Sequence, residues 1–239
     1  MRFRLCVTGL AVLAVCQSAC ADGLIYQLPA QNVQARYKLE LLASANGEQQ
    51  PARKGSLTIA TVGSSEINGE KCRWIEIKMI ISEDAGERAT LMKVLVPEKH
   101  RTKGQSPGAN MIKAWVAEGD VAPMEFRDLT DSRTLAIAVL LAGPPKNANT
   151  SDPLEIDNPK LGKVRCAGVT GDQEIAGPLG LQVPLRIDDR LHDDSPFGLV
   201  TANWSFELKV NGQSAIQGQF KLTLTDINTT ALTEWPDKN

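Results

Sequence analysis

Apolar and polar residues alternate over long stretches of this 239-residue chain, and turns that contain glycine separate the stretches. A period of two places every second side chain on the same face of an extended strand. The clearest example is a hairpin around Asn211-Gly212, whose apolar faces contain Val200, Ala202, Trp204, Phe206, Leu208 and Val210 in one arm and Ile216, Phe220, Leu222 and Leu224 in the other. Asn-Gly supplies the positive φ angles that a type I′ turn requires. The pattern predicts antiparallel strands.

Shorter alternating stretches extend this pattern over most of the chain. They are Tyr37 to Leu41, Leu57 to Ile59, Ile75 to Ile81 and Leu181 to Ile187. Further Asn-Gly turns occur at positions 46–47 and 68–69. We expect roughly eight to ten antiparallel strands, and the natural twist of such a sheet curls it around its apolar face. The predicted architecture is a curled antiparallel sheet, or half-barrel.

One segment departs from the alternation and predicts a helix. Ser106 suits the N-cap and Pro107 the first helical position, and four apolar residues follow at helical spacing: Met111, Ile112, Trp115 and Val116. We expect this helix to pack on the concave face of the sheet, so the fold class is mainly β (α+β). Residues 143–160 are rich in Pro, Asn, Asp and Ser, and they predict a long surface loop.

The N-terminus has the layout of a secretory signal peptide. Arg2 and Arg4 precede the apolar stretch Leu5 to Val15, and Ala19-Cys20-Ala21 offers the small residues at which signal peptidase cleaves. The apolar stretch is shorter than the roughly 20 residues that a membrane-spanning helix requires. This segment is therefore expected to be removed.

Cleavage after residue 21 divides the chain into a signal peptide, residues 1–21, and a single curled antiparallel β domain, residues 22–239. The mature protein is then exported, to the periplasm or the medium. The alternative is a lipid anchor on Cys20, which would hold the domain at a membrane surface.

Composition excludes several classes of partner. The formal net charge is −2, and no run of Lys and Arg is present to neutralise phosphates, so we expect no nucleic-acid binding. No stretch after the leader predicts a transmembrane helix. No cofactor motif occurs, and the Gly-x-Ser-x-Gly elbow of serine hydrolases is absent. A non-enzymatic role without a cofactor is therefore favoured, and no catalytic residue is assigned.

The expected mature chain contains two cysteines, Cys72 and Cys166. In an oxidising compartment such a pair predicts one disulfide between distant strands, which would stabilise the fold by roughly 4 kcal/mol. The alternative is two separate buried thiols, because a free cysteine packs like a small apolar residue.

Four aromatic residues are candidates for contact with a ligand or partner. Trp204 and Phe206 lie on the apolar face of the C-terminal hairpin, and Trp115 lies on the stripe of the predicted helix. Core packing is the default role for Trp204 and Trp115. Trp74 shares the polar face of its strand with Glu76, which makes it the best candidate for a partner site.

A cluster of acidic residues lies between positions 188 and 194. Asp189, His192 and Asp193 are weak candidates for a metal site, since carboxylates with one histidine suit a hard cation. Their spacing matches no calcium loop, and acidic residues before Ser-Pro are common in turns. A solvated hairpin loop is therefore the favoured interpretation.

Two stretches resemble a known group of proteins. One is Asn68-Gly69-Glu70-Lys71-Cys72-Arg73-Trp74-Ile75-Glu76-Ile77-Lys78, and the other is Ser195-Pro196-Phe197-Gly198-Leu199-Val200. Together they resemble a group of uncharacterised exported bacterial proteins, whose order of strands looks like the half-barrel fold of the periplasmic lipoprotein-carrier superfamily. The resemblance implies a half-barrel that holds an apolar ligand in its concavity, and it transfers no functional residue to this chain.

These observations favour an exported, non-enzymatic domain that binds an apolar ligand, a lipid or a lipoprotein-like partner on the concave side of its sheet. One alternative is an envelope module with a solid core that recognises a protein through an edge strand or the Trp74 face. Another is a hydrolase whose site is unrecognised and depends on His192.

Overall fold

The computed structural model describes residues 24–45, 47–83, 86–101, 110–119, 122–126, 145, 147–176, 182–210 and 213–235. In this part of the chain twelve strands form one sheet. The strands are β1 Gln34–Ala45, β2 Glu48–Gln49, β3 Arg53–Ile67, β4 Glu70–Glu83, β5 Gly86–Pro97, β6 Lys113–Glu118, β7 Met124–Phe126, β8 Asn149–Asn158, β9 Gly162–Ala176, β10 Gln182–Leu191, β11 Leu199–Val210 and β12 Gln213–Asn228. A short 3₁₀ turn, Glu98–Arg101, follows β5.

The sheet is antiparallel throughout, with the order β7-β6-β5-β4-β3-β1-β12-β11-β10-β9-β8, and β2 pairs with β1. Strands that follow one another in sequence are mostly neighbours, and the pairing of β1 with β12 joins the two halves. In the described residues β7 and β8 lie at opposite ends and do not pair, so the sheet is open. The predicted antiparallel architecture is confirmed.

One face of the sheet forms the main apolar core. Alternate residues of the strands supply it, including Tyr37, Leu39, Leu57, Ile59, Ile75, Ile77, Met92, Val94, Leu185, Ile187, Trp204, Leu222 and Leu224. Residues 24–28, which precede β1, also pack into this core through Leu24, Ile25, Tyr26 and Leu28. Burying each large apolar side chain contributes roughly 1.5–3 kcal/mol before the entropy cost of folding. We call the other side of the sheet the outer face.

From Ala202 onward the C-terminal hairpin follows its predicted faces, since Trp204 lies opposite Phe220 and Ala202 lies opposite Leu222. Val200 departs from the prediction, because it packs with Val164 and Cys166 in a separate apolar cluster. Its Asn211-Gly212 turn lies outside the described residues. At the turn between β3 and β4, Asn68 and Gly69 have φ angles of 52° and 79°, as a type I′ turn requires.

The predicted helix at residues 106–116 is wrong where the structure describes it. Trp115 and Val116 belong to strand β6, which pairs with β5 and places Ala114 and Val116 in the core. The spacing of the apolar residues fitted a helix, but this segment pairs with the edge of β5 and is therefore extended. Ser106 and Pro107 lie outside the described residues.

The predicted loop at residues 143–160 is also corrected, because Asn149–Asn158 forms strand β8. This strand lies at the end of the sheet, and most of its residues are exposed. Its polar composition and Pro153 suit an edge strand, where few side chains reach the core.

Cys72 and Cys166 are both buried free thiols, so the structure does not form the predicted disulfide. Cys72 lies in β4 and Cys166 in β9, and five strands separate these two in the sheet. Burial raises the pKa of both thiols. None of the helices in the described ranges has the length and apolarity needed to cross a membrane.

Candidate functional site

An open cavity of about 700 Å³ lies toward one end of strands β1, β9, β10, β11 and β12. The described residues that line it are Leu42, Ala43, Ser44, Gln49, Asn147, Asp172, Gln173, Glu174, Pro184, Leu185, Arg186, Ser205, Phe206, Glu207, Gln217, Gly218 and Gln219. Its volume is within the usual range for small-molecule sites, roughly 300–1,000 Å³.

The sheet register explains the apolar part of this lining. Phe206 lies opposite Leu185 on one side and opposite Gly218 on the other. A Cβ atom added at Gly218 would lie 2.2 Å from Cζ of Phe206, so the absence of a side chain at Gly218 makes room for the ring. Phe206 and Leu185 also pack with the main core. Phe206 therefore lies at the boundary between the packed core and the cavity.

Strand pairing leaves Pro184 partly unpaired beside the cavity. Pro184 lies opposite Glu174 of β9, whereas the pairing of β10 with β11 begins only at Leu185. Proline has no N–H, so this position leaves no backbone donor without a partner. Carboxylates, amides and hydroxyls make up most of the remaining lining, and Arg186 is the basic residue among the described lining residues. Such a mixed lining suits an amphiphilic ligand better than a wholly apolar one.

Trp74 and Trp115 come together on the outer face of β4 and β6. Their ring centroids are 5.3 Å apart at an angle of 49°. The Nζ atom of Lys93 lies 5.6 Å from the Trp74 ring centroid, and Trp74 Nε1–H donates to Ser65 Oγ at 2.8 Å. This pair is not part of the cavity lining. The structure therefore separates the four predicted contact residues into different environments.

Trp204 is fully buried and stacks on Phe220, with ring centroids 5.8 Å apart. It therefore packs in the core, the default role that its sequence position indicated. Its indole nitrogen also has a polar partner, since Nε1–H donates to Asp189 Oδ1 at 2.7 Å.

Asp189 is a buried acid in the core, which corrects the solvated loop expected around it. Strand β10 continues through Leu191, and Asp189 is 0% exposed. Its Oδ2 accepts a hydrogen bond from Tyr26 Oη at 2.6 Å, in addition to the bond from Trp204. Burial raises the pKa of Asp189 to about 7, although these two hydrogen bonds act in the opposite direction.

The other two weak metal candidates, His192 and Asp193, take part in hydrogen bonds within the protein. His192 Nδ1 accepts a hydrogen bond from the backbone N–H of Asp194 at 3.2 Å, and the carbonyl of Asp193 accepts one from Gln27. Across the described stretches, no group of His, Cys, Asp and Glu side chains has the arrangement of a metal site.

The turn at Ser195 to Gly198 holds the N-terminal residues in place. The backbone N–H of Tyr26 donates to Phe197 O at 2.9 Å, and Gln27 Nε2 donates to Ser195 O at 2.7 Å. Gly198 has a φ of 82°, and a Cβ there would lie 2.8 Å from Cβ of Tyr26. The segment Ser195 to Val200, one of the two stretches that carry the resemblance, is therefore a docking point for the chain before β1.

Residues 229–235, which we call the strap, cross the outer face of β4 and β5. Glu76 accepts hydrogen bonds from Thr233 Oγ1 and from the backbone N–H of Glu234, the latter at 2.8 Å. Glu76 also pairs with Lys93 at 3.0 Å, and Lys78 pairs with Glu234. Glu76 is only 3% exposed because the strap covers it. The polar face predicted for this strand is therefore not open to solvent at Glu76.

Sequence reasoning missed both buried acids because their partners are distant in the chain. Asp189 and Tyr26 are 163 residues apart, and Glu76 and Thr233 are 157 residues apart. One signal was present for Asp189, since it lies in phase with Leu185 and Ile187 on the apolar face of β10. No comparable signal existed for Glu76.

Comparisons with solved structures give three representative likenesses. A protein described as exported, with a YmcC-like fold, from Bacteroides fragilis is 10% identical, over 86% of this chain and 99% of its own, with a TM-score of 0.35. A LolA superfamily protein from Nitrosomonas europaea is 12% identical, over 88% and 90%, with a TM-score of 0.29. A beta-barrel-like protein of a domain of unknown function from Brucella abortus is 11% identical, over 85% and 98%, with a TM-score of 0.26.

These three likenesses are distant, with sequence identities of 10–12%. Their TM-scores are all below 0.5, so they carry no assignment of activity or ligand. No protein-family model and no curated protein matches the chain.

Proposed function

We propose that the chain is an exported binding domain that holds an amphiphilic molecule, such as a lipid or an acylated partner, in the open cavity. The observation that carries this proposal is the cavity itself, with about 700 Å³ of space beside Phe206 and Leu185. The apolar part of the ligand packs against these side chains, and its polar part meets the amides and hydroxyls of the lining.

The leader supports the cellular setting of this proposal. Its charged start, apolar centre and small residues near position 21 favour export of residues 22–239. An exported domain would meet membrane lipids and acylated proteins at the envelope. Its role there is to hold or transfer the molecule, not to transform it.

Mass spectrometry of the protein purified from its native envelope, without detergent, tests the proposal. We expect the mature chain to begin at residue 22 and to carry an extractable amphiphile. A homogeneous, ligand-free protein that also binds no fluorescent fatty acid would contradict the proposed function. A mature chain that begins with acylated Cys20 would show that the domain is anchored.

Replacement of Phe206 by glutamine locates the binding site. We expect Phe206→Gln to weaken binding of a dansyl-labelled fatty acid by about tenfold, because the acyl chain loses its aromatic contact. The matched control is Leu154→Gln on β8, where the side chain is 52% exposed and outside the cavity lining. Equal weakening in both variants would show that the probe binds elsewhere.

A further inference from the structure

The strap covers a strip of the outer face, which we call the groove. Its contacts there are with the side chains of Glu76, Lys78 and Lys93 and with the backbone oxygen of Asn32. This groove involves β4 and β5 and does not overlap the residues that line the cavity. Within the described chain the strap belongs to no strand. Side chains of the groove hold Thr233 and Glu234. Ala231 N–H donates to Asn32 O at 2.9 Å and adds a backbone contact.

The contacts in this groove discriminate between side chains of an extended peptide. Ala231 is 2% exposed, so a larger side chain would not fit there without movement, whereas Leu232 is 80% exposed and makes little contact. Thr233 Oγ1 donates to Glu76 and accepts from Lys93 Nζ at 3.1 Å. A hydroxyl can do both at once, and no other side-chain group of that size can.

Charge complementarity specifies the next position. Lys78 pairs with the carboxylate of Glu234, whose backbone N–H also bonds to Glu76. The groove therefore recognises four consecutive features: a small residue, a residue of any kind, a hydroxyl residue and an acidic residue. The buried carboxylate of Glu76 bonds two successive donors, which fixes the register of the peptide.

We propose that this groove is a docking site for an extended segment of that chemistry in a partner protein, and that the strap occupies it in cis as a competitor. Tethering gives the strap an effective concentration near the millimolar range, so a partner segment binds only when the strap is released. Release also uncovers Lys93, which connects the groove to the Trp74 and Trp115 pair through its contact with the Trp74 ring.

The test uses the full chain and a fluorescein-labelled synthetic peptide with the sequence of residues 228–235. The double variant Thr233→Val with Glu234→Gln weakens the strap and leaves the groove intact. We expect fluorescence anisotropy to show peptide binding about tenfold tighter to this variant than to the unaltered protein. Adding Glu76→Gln to the double variant should abolish this gain. The matched control, Leu232→Gln, changes an exposed strap residue and should behave as the unaltered protein.

Hydrogen exchange of residues 229–235 reports separately whether the strap has been released. We expect the double variant to lose protection there while the sheet keeps its protection. A strap that is released but binds no added peptide would overturn the docking site. A strap that stays protected in the double variant would overturn the role of the Thr233 and Glu234 contacts. Equal binding of a peptide that carries valine and glutamine at these two positions would overturn the recognition rule.

Discussion

Replacing Asp189 by asparagine tests whether the core holds this carboxyl group protonated near neutral pH. Burial raises the pKa of Asp189 from 3.8 to about 7, against the effect of hydrogen bonds from Tyr26 and Trp204. The folded state therefore binds this proton more tightly than the unfolded chain does. The stabilisation from this proton is fully present below about pH 4, and it is lost as the pH rises through about 7.

The magnitude follows from the change in pKa. A rise of about 3 units corresponds to about 4 kcal/mol in the free energy of unfolding, at about 1.4 kcal/mol per unit. Asparagine cannot ionise, and it keeps both contacts: its Oδ1 accepts from the Trp204 indole, and its amide donates to the hydroxyl oxygen of Tyr26. We expect Asp189→Asn to resemble the unaltered protein at pH 4 and to be more stable at pH 8, by up to about 4 kcal/mol.

Urea denaturation at pH values from 4 to 8, followed by tryptophan fluorescence and circular dichroism, measures this difference. Asp188→Asn is the matched control, because Asp188 is adjacent on β10, faces the outer side and pairs with Arg190 at 3.1 Å. It should keep most of the pH dependence of the unaltered protein, because the charge of Asp188 contributes less to the raised pKa of Asp189 than burial does. If the gap between Asp189→Asn and the unaltered protein is the same at pH 4 and pH 8, the two hydrogen bonds keep Asp189 ionised and the reasoning fails.

Two further predictions concern a glycine and the two thiols. Gly198→Ala should lower the free energy of unfolding by about 2 kcal/mol, since it combines a positive φ with a Cβ pressed against Tyr26. Gly47→Ala has a similar φ of 83° and open space, so thermal denaturation should show a smaller loss, and equal losses would exclude the steric cause. Cys72 and Cys166 should resist alkylation in the folded protein and both react in urea, because they are buried free thiols. If the intact mass in urea shows that neither thiol is alkylated until a reductant is added, the two cysteines form a disulfide and this prediction is wrong.

The strands that sequence reasoning predicted best are those with long, regular alternation. The arms of the C-terminal hairpin contain enough alternate apolar residues to fix both their conformation and their core-facing side. The same reasoning failed for β6, where Trp115 and Val116 are adjacent apolar residues on opposite faces. β6 has only six residues, so the local helical preference of its sequence is weak. Backbone pairing with β5 outweighs that preference.

The sequence predicted an apolar concavity in the curled sheet, but not the position or the polar lining of the cavity. Phe206 was predicted as a contact residue from its place on the hairpin, but its role beside the cavity depends on Gly218 opposite it. A two-residue turn at Asn211-Gly212 alone would place Phe206 opposite Gln217, and a register shift between Leu208 and Lys209 places Gly218 there instead. Such irregularities in register cannot be read from a single sequence. The polar lining from β9 and β10 could not be predicted for the same reason.

Each of the two buried acids lies where a segment outside the main strands packs against the sheet. Asp189 contacts the segment before β1, and Glu76 contacts the strap. Asp189 interrupts the apolar phase of β10, and its carboxyl group is accommodated there because Tyr26, in the segment before β1, forms a hydrogen bond with it. Glu76 belongs to the outer face, and it is buried because Thr233 and the strap cover it. Neither partner can reach its acid until the sheet has brought strands from distant parts of the sequence together, since closing such long loops for one contact costs more than the contact returns. The terminal segments must therefore dock onto a sheet that is already formed. They should open at a lower free energy than the sheet, which is the property that a strap in competition with a partner requires.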